Sequence, residues 1–241
     1  GVASGGQALG QRVIATLRRL GGGGGVVADL PSAPEVEGLP AVRDLGDSPE
    51  PVDYAYIAVP RYGVPPLLAG AGGRVRFAQV MTSGFGEGGA GSESQDALLA
   101  AAREGGVRIL GPNSLGTYSP WGRITFAETP PGEAVPGGVG AISQSGGIGV
   151  DFIRTGQARG LRFSGVVTIG NSADLGPGDF LEHFLADPDT RVVGMYLEDI
   201  GEGRRFFELL QSARGRKPVV ILKGGRSSQG RKAVMSHTGT L

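Results

Sequence analysis

The sequence predicts an α/β protein built on parallel sheets, and three observations carry that reading. Short runs rich in β-branched residues alternate with segments of helical periodicity, the runs are apolar throughout, and their spacing is that of βαβ units. Strands are expected at Tyr54–Val59, Arg76–Met81, Val107–Leu110, Val139–Ser143, Gly165–Ile169, Val192–Leu197 and Pro218–Leu222. The first helix places Leu9, Val13, Ile14, Leu17 and Leu20 on one face. The second runs over Ser92–Glu104 with Ala97, Leu98 and Ala101 as its apolar stripe. A third near Asp179–Ala186 turns Phe180, Leu181, Phe184 and Leu185 inward, and a fourth over Glu202–Arg214 buries Phe206, Phe207 and Leu210. Gly21–Gly25 lacks the Lys and Ser/Thr that complete a phosphate loop and is expected as a connection. Three prolines and three glycines fall within Thr129–Gly138, which no helix or central strand tolerates. The chain is therefore expected to divide into residues 1–131 and 132–241.

Composition excludes several function classes. Of the 241 residues 46 are glycine without a collagen period, so the chain is globular. The 23 basic and 23 acidic residues cancel and aromatics make up only 6%, which argues against a nucleic-acid partner. With no cysteine there is no disulfide, thiolate nucleophile or cysteine-based zinc site, and no metal ligands are expected. No apolar run approaches the ~18 residues of a membrane span. The expected location is the cytoplasm.

Chemistry is expected beyond the carboxyl ends of the strands, where open parallel sheets hold their ligands. Those ends carry Pro60-Arg61-Tyr62-Gly63, Thr82-Ser83-Gly84-Phe85-Gly86, Gly111-Pro112-Asn113-Ser114-Leu115-Gly116, Ser143-Gln144-Ser145-Gly146-Gly147, Gly170-Asn171-Ser172-Ala173-Asp174 and Glu198-Asp199-Ile200-Gly201. Small residues let backbone N–H groups approach a ligand. Each loop alone is equally an ordinary turn. Ser143–Gly147 leads from a strand into a helix, so it offers either an anion site at a helix N-terminus or simply a serine N-cap. Of the two histidines, His183 flanks an apolar stripe, and His237 lies in the loop Ser236-His237-Thr238-Gly239. Between Arg214 and Lys232 there are seven basic residues and no acidic ones, a bias that suits small anions or a solvated surface.

Taken together, the loops resemble the α-type subunit of nucleoside-diphosphate-forming acyl-CoA synthetases, the group that includes succinyl-CoA synthetase and the ADP-forming acetyl-CoA synthetases. Gly1–Gly6, Ile57–Pro60, Asp187-Pro188-Asp189-Thr190, Tyr196-Leu197-Glu198 and Lys217–Val220 join the loops above in colinear order over nearly the whole chain. The resemblance implies a Rossmann-like CoA-binding domain, its first strand missing, followed by a flavodoxin-like ligase domain.

It further implies that His237 is transiently phosphorylated and that Glu198 orients it. A carboxylate bonded to one imidazole nitrogen fixes the tautomer and leaves the other nitrogen to attack. By the same transfer Ser143, Gln144, Ser145, Gly146 and Gly147 hold phosphate, and Ser4, Gly5 and Gln7 lie near the CoA phosphates. Val59, Pro60, Ser83, Gly84 and Phe85 line the CoA cleft, while Asn113, Ser114 and Leu115 approach the thioester. Succinyl-CoA synthetase has a cysteine where this chain has Ser114. The implied reaction joins a small carboxylic acid to CoA at the expense of ATP, releasing ADP and phosphate. ATP and its Mg would sit on an ATP-grasp domain or β-type subunit outside this chain, and an oligomer is expected. Two other readings are a non-catalytic CoA-sensing module and a nicotinamide-dependent oxidoreductase. The first has no need of His237 with Glu198, and the second lacks its Gly-x-Gly-x-x-Gly.

Overall fold

The computed structural model describes residues 2–4, 13–16, 28–29, 35–36, 39–42, 44–86, 92–125 and 134–225. The first sheet contains β1 (Val2–Ser4), β2 (Ala28–Asp29), β3 (Glu35–Val36), β4 (Leu39–Val42), β5 (Val52–Ala58), β6 (Val75–Val80) and β7 (Arg108–Leu110). Their order is β3-β4-β2-β1-β5-β6-β7, parallel except between β3 and β4. Helix α1 (Val64–Ala69) links β5 to β6, and α2 (Ser92–Gly105) links β6 to β7. Val2–Ser4, expected as a loop after a missing strand, is itself a strand flanked by β2 and β5.

The second sheet contains β8 (Gly116–Tyr118), β9 (Val139–Ser143), β10 (Phe163–Thr168), β11 (Val192–Leu197) and β12 (Val219–Lys223). Its order is β12-β11-β9-β10-β8, with only β8 antiparallel. Helices α3 (Gly146–Ala158), α4 (Pro177–Ala186) and α5 (Gly203–Ala213) make the crossovers. The chain passes from one sheet to the other between β7 and β8, ahead of the Pro/Gly segment. This is the α/β architecture expected, two largely parallel sheets in succession.

Three apolar clusters hold the layers together. Ala55, Ile57, Val80 and Ile109 of the first sheet meet Val64, Leu68, Leu98 and Ala101 of α1 and α2. Ile142, Val193 and Met195 meet Leu181 and Phe184 of α4 and Phe206 of α5, while Ala141 and Val166 pack with Ile153 of α3. Local sequence starts these helices where it should. Pro177 opens α4, and the Asp179 carboxylate accepts the Gly176 N–H at 2.8 Å.

Two helical stripes differ from expectation. On α5, Phe206 is buried but Phe207 is 58% exposed, because adjacent helical positions lie about 100° apart and one narrow face meets the sheet. On α2 the buried set is Leu98, Ala101 and Ala102, with Ala97 exposed. In the first helix Val13 and Ile14 are buried, and Leu9, Leu17 and Leu20 lie outside the described residues. Among the described residues no helix is long and apolar enough to cross a membrane.

Candidate functional site

All six small-residue loops follow strand carboxyl ends, and those of the second sheet meet through Gln144, which bonds Ser172, Glu198 and Asp199. Glu198 follows β11 directly and is buried, 8% exposed. The Tyr196 hydroxyl donates to Glu198 Oε1 at 3.1 Å, as the period of two along a strand allows for residues 196 and 198. Burial, then the adjacent Glu198 carboxylate, pushes the Tyr196 phenol above its ordinary pKa, so it stays a donor. The Lys223 ammonium donates to the Glu198 carbonyl at 2.6 Å and to that of Gly224 at 2.8 Å. The Glu198 N–H donates to Gln144 Oε1, which also accepts the Asp199 N–H at 2.7 Å.

The Ser143–Gly147 segment passes from β9 into α3 as expected, with its side chains divided between two roles. Ser143 is fully buried; its hydroxyl donates to the Ser145 carbonyl at 2.7 Å and accepts the Ser145 N–H at 3.2 Å. Gln144 is buried as well. Ser145 is the N-cap, its Oγ accepting the Ile148 N–H at 3.5 Å. Half-buried Gly146 and exposed Gly147 then begin the helix, where an α-helix supplies no internal acceptor for N–H groups and the dipole favours an anion. Leu115 lies over this turn, since a Cβ on Gly146 would stand 2.8 Å from Leu115 Cγ. The structure thus brings Leu115, Ser145, Gly146 and Gly147 together. A cleft of about 460 Å³, walled by Asn171–Asp174, Gly176–Asp179 and Asp199–Glu202, opens beside Gln144.

Ser114, expected to approach the thioester, bonds across to the second sheet. It is 1% exposed, with its hydroxyl donating to the Thr168 carbonyl at 2.6 Å. The neighbouring Asn113 is half-buried, and its N–H donates to the Thr82 carbonyl at 3.1 Å. The 170–174 loop also braces the sheets. Asn171 N–H donates to Pro112 and Ala173 N–H to Gly111, each at 3.0 Å, and Asp174 accepts the Ile109 N–H at 2.7 Å and Arg108 Nε at 3.0 Å.

At the end of the first sheet, Pro60, Ser83 and Gly84 are exposed and Val59 is half-buried, forming an accessible backbone edge. Thr82 Oγ1 donates to the Val59 carbonyl at 2.6 Å and joins the two loops. Gly84 has φ +96°, and a Cβ there would stand 3.1 Å from Arg61 Cδ, whose guanidinium donates to the Gly84 carbonyl at 3.0 Å. This bare, partly cationic edge fits a phosphate-bearing ligand such as CoA. Phe85, expected in the lining of the CoA cleft, follows Gly84 directly. It is buried in the first core, so it supports the loop from beneath. Ser4 ends β1, while Gly5, Gln7 and His237 lie outside the described residues.

Comparison with known proteins matches this arrangement. Residues 1–120 match the CoA binding domain model and residues 136–241 the succinyl-CoA ligase like flavodoxin domain model. The chain is 38% identical over 203 residues to the acetate–CoA ligase [ADP-forming] I subunit alpha of Pyrococcus furiosus, covering 83% of this chain and 43% of that one. The chain belongs to the ADP-forming acyl-CoA synthetase family. Acetate–CoA ligase [ADP-forming] I of Archaeoglobus fulgidus is 35% identical over 97% of this chain and 34% of its own length. The dinucleotide forming acetyl-coenzyme A synthetase 1 of Ca. Korarchaeum cryptofilum, solved with phosphate and ADP, superposes with a TM-score of 0.89 at 34% identity. That match covers all of this chain and 53% of the other. The chain therefore spans about half, or less, of the length of these ADP-forming acyl-CoA synthetases.

Within this family frame, the residue pattern assigns no role to Tyr196, Lys223 or Thr168. Tyr196 was within reach of it, because strand alternation puts residues 196 and 198 on one face. Lys217 and Lys223 count toward the basic stretch, yet both ammonium groups donate to backbone carbonyls, Lys217 to Phe184 at 3.0 Å and to Asp187.

Proposed function

We propose that this chain is the CoA-binding, phosphoryl-relaying part of an acyl-CoA ligase that converts a carboxylic acid, CoA and ATP to acyl-CoA, ADP and phosphate. The observation that carries the reading is Glu198, whose buried carboxylate accepts from the Tyr196 hydroxyl and whose backbone is held by Gln144 and Lys223, at the end of β11, which pairs with the strand leading into the helix N-terminus at Gly146 and Gly147. A buried carboxylate so fixed suits one task well, that of orienting and charge-stabilising an imidazole. In this reading His237 supplies the imidazole. One ring nitrogen attacks the γ-phosphorus of ATP and the bond to ADP breaks. The phosphoryl group then passes to the acid's carboxylate, and the CoA thiol displaces phosphate from the resulting acyl phosphate. Splitting the transfer in this way replaces one hard displacement by easier ones.

Gly146 and Gly147 N–H groups would hold the phosphate during these steps, with Leu115 shielding the turn. Pro60, Ser83 and Gly84 would take CoA along the open edge, with Ser4, Gly5 and Gln7 near its phosphates. The division into residues 1–131 and 132–241 follows the same logic, one part for CoA and one for phosphoryl transfer, with β8 reaching across from the first. ATP with its Mg belongs to an ATP-grasp domain or subunit, and the complete assembly works in the cytoplasm as an oligomer. To test the reading, the complete enzyme is given ATP, CoA and a panel of carboxylic acids. Acyl-CoA, ADP and phosphate formed in equal amounts support it; AMP and pyrophosphate, or CoA binding without any turnover, overturn it.

A further inference from the structure

Gln144 belongs to the loop expected to grip phosphate, yet its side chain points the other way. It is 5% exposed, and its Oε1 accepts the N–H groups of both Glu198 and Asp199, the latter at 2.7 Å. Backbone N–H groups only donate, so the amide oxygen must face them, which leaves Nε2 toward Ser172 Oγ at 3.4 Å. The Gln144 main chain repeats the link, donating to the Tyr196 carbonyl at 3.0 Å. One residue thus ties the ends of β9 and β11 together. With Lys223 on the Glu198 carbonyl, the Glu198 backbone is held on both sides of its Cα.

We infer that Gln144 is a positioning residue for phosphoryl transfer: it fixes the backbone of Glu198, and so the carboxylate, and is not a ligand of the transferred phosphate. This rests on the reading that Glu198 orients the phosphorylated histidine. The residue type suits the task. An amide oxygen has two lone pairs for two N–H donors. Arg or Lys would offer donors where acceptors are needed, and Asn is a methylene short of the reach.

The two roles predict opposite mutant behaviour. Gln144→Met removes the acceptor but keeps the volume; misplacing a reacting group by about 1 Å costs on the order of 100-fold in rate. The expected result is a fall in kcat of that order with KM for phosphate unchanged, measured in the complete enzyme running from acyl-CoA, ADP and phosphate. Gln144→Glu keeps an acceptor for both N–H groups and is expected to restore most of the rate. In a Glu198→Gln background, Gln144→Met should slow phosphohistidine formation no further, because its effect runs through the carboxylate. A phosphate ligand would behave differently. KM for phosphate would rise, and Gln144→Glu would be the worse variant through repulsion of the anion. Either of those results overturns the proposal. If Gln144→Met does not fold, Gln144→Glu decides by itself, since near-normal KM for phosphate supports positioning and a raised one contradicts it. Unimpaired phosphohistidine formation in Glu198→Gln would remove the underlying reading of the site. A dead Glu198→Gln enzyme beside a normal Gln144→Met enzyme would remove only the positioning role.

Discussion

The Ser114 hydroxyl donates to the Thr168 carbonyl at 2.6 Å and lies 3.2 Å from the Thr168 hydroxyl, joining the loop after the first sheet to the carboxyl end of β10 in the second. Both hydroxyls also accept the Gly116 N–H, at 3.0 and 2.9 Å, and Gln79 Nε2 donates to the Ser114 carbonyl at 3.1 Å. Ser114→Ala leaves buried partners short of a bond and should destabilise the chain by about 1–3 kcal/mol, measured by urea unfolding. Acid preference should stay the same, and a changed preference with unchanged stability would show that Ser114 faces the substrate instead.

Gly170 sets how closely the two sheets approach. It has φ +52°, and a Cβ would stand 2.2 Å from the Pro112 carbonyl oxygen and 2.4 Å from that of Asn113. Gly170→Ala combines backbone strain with a clash against main chain, so a loss of at least about 2 kcal/mol is expected. Thermal unfolding checks it, and an unchanged midpoint would mean the loop is free to move aside.

Gly84 and Phe85 are neighbours with separate duties. Gly84→Val should weaken CoA binding, read by calorimetry; at φ +96° it also strains the backbone, but on the exposed edge the fold is retained. Phe85→Ala empties a core position and should cost about 3–5 kcal/mol of stability. Weakened CoA binding with normal stability in Phe85→Ala would return that side chain to the cleft.

Asp187 gives the chain a stability term that depends on acid. Burial opposes its charge, but the Thr190 hydroxyl, the Asp189 N–H at 3.1 Å, His183 and Lys217 together hold its pKa below the ordinary value. A depressed folded-state pKa stabilises above the unfolded value, about 3.9, and that contribution is lost as pH falls through the folded value. The stability gap between wild type and Asp187→Asn should therefore be larger at pH 7 than at pH 3. An equal gap at both would show that hydrogen bonding alone, independent of charge, accounts for Asp187. The carboxylate is partly exposed, so solvent screening keeps the effect small.

Sequence pattern located the strands well where tertiary packing agrees with local preference. Val139–Ser143 and Val192–Leu197 are observed over the expected residues, since buried parallel strands are apolar along their whole length. Side-chain direction was less legible. Phe206 and Phe207 look alike in sequence, and only the docking angle of α5 decides which is buried. Small polar residues posed the same difficulty. Ser114, Ser143 and Gln144 read as ligand groups because they lie in ligand-like loops; in the structure Ser114 and Gln144 bond backbone partners brought near by pairings between distant strands, and Ser143 bonds Ser145 within its own turn. The strand Val2–Ser4 is short and has little apolar content of its own; its place in the sheet comes from β2 and β5 on either side.

The most direct test of the phosphoryl relay is to map the label after the complete enzyme is incubated with γ-labelled ATP. The account predicts one acid-labile, base-stable phosphoryl group on His237, absent from His237→Asn and strongly reduced in Glu198→Gln. Label on a different residue, or acyl-CoA formation by His237→Asn at the wild-type rate, would contradict it.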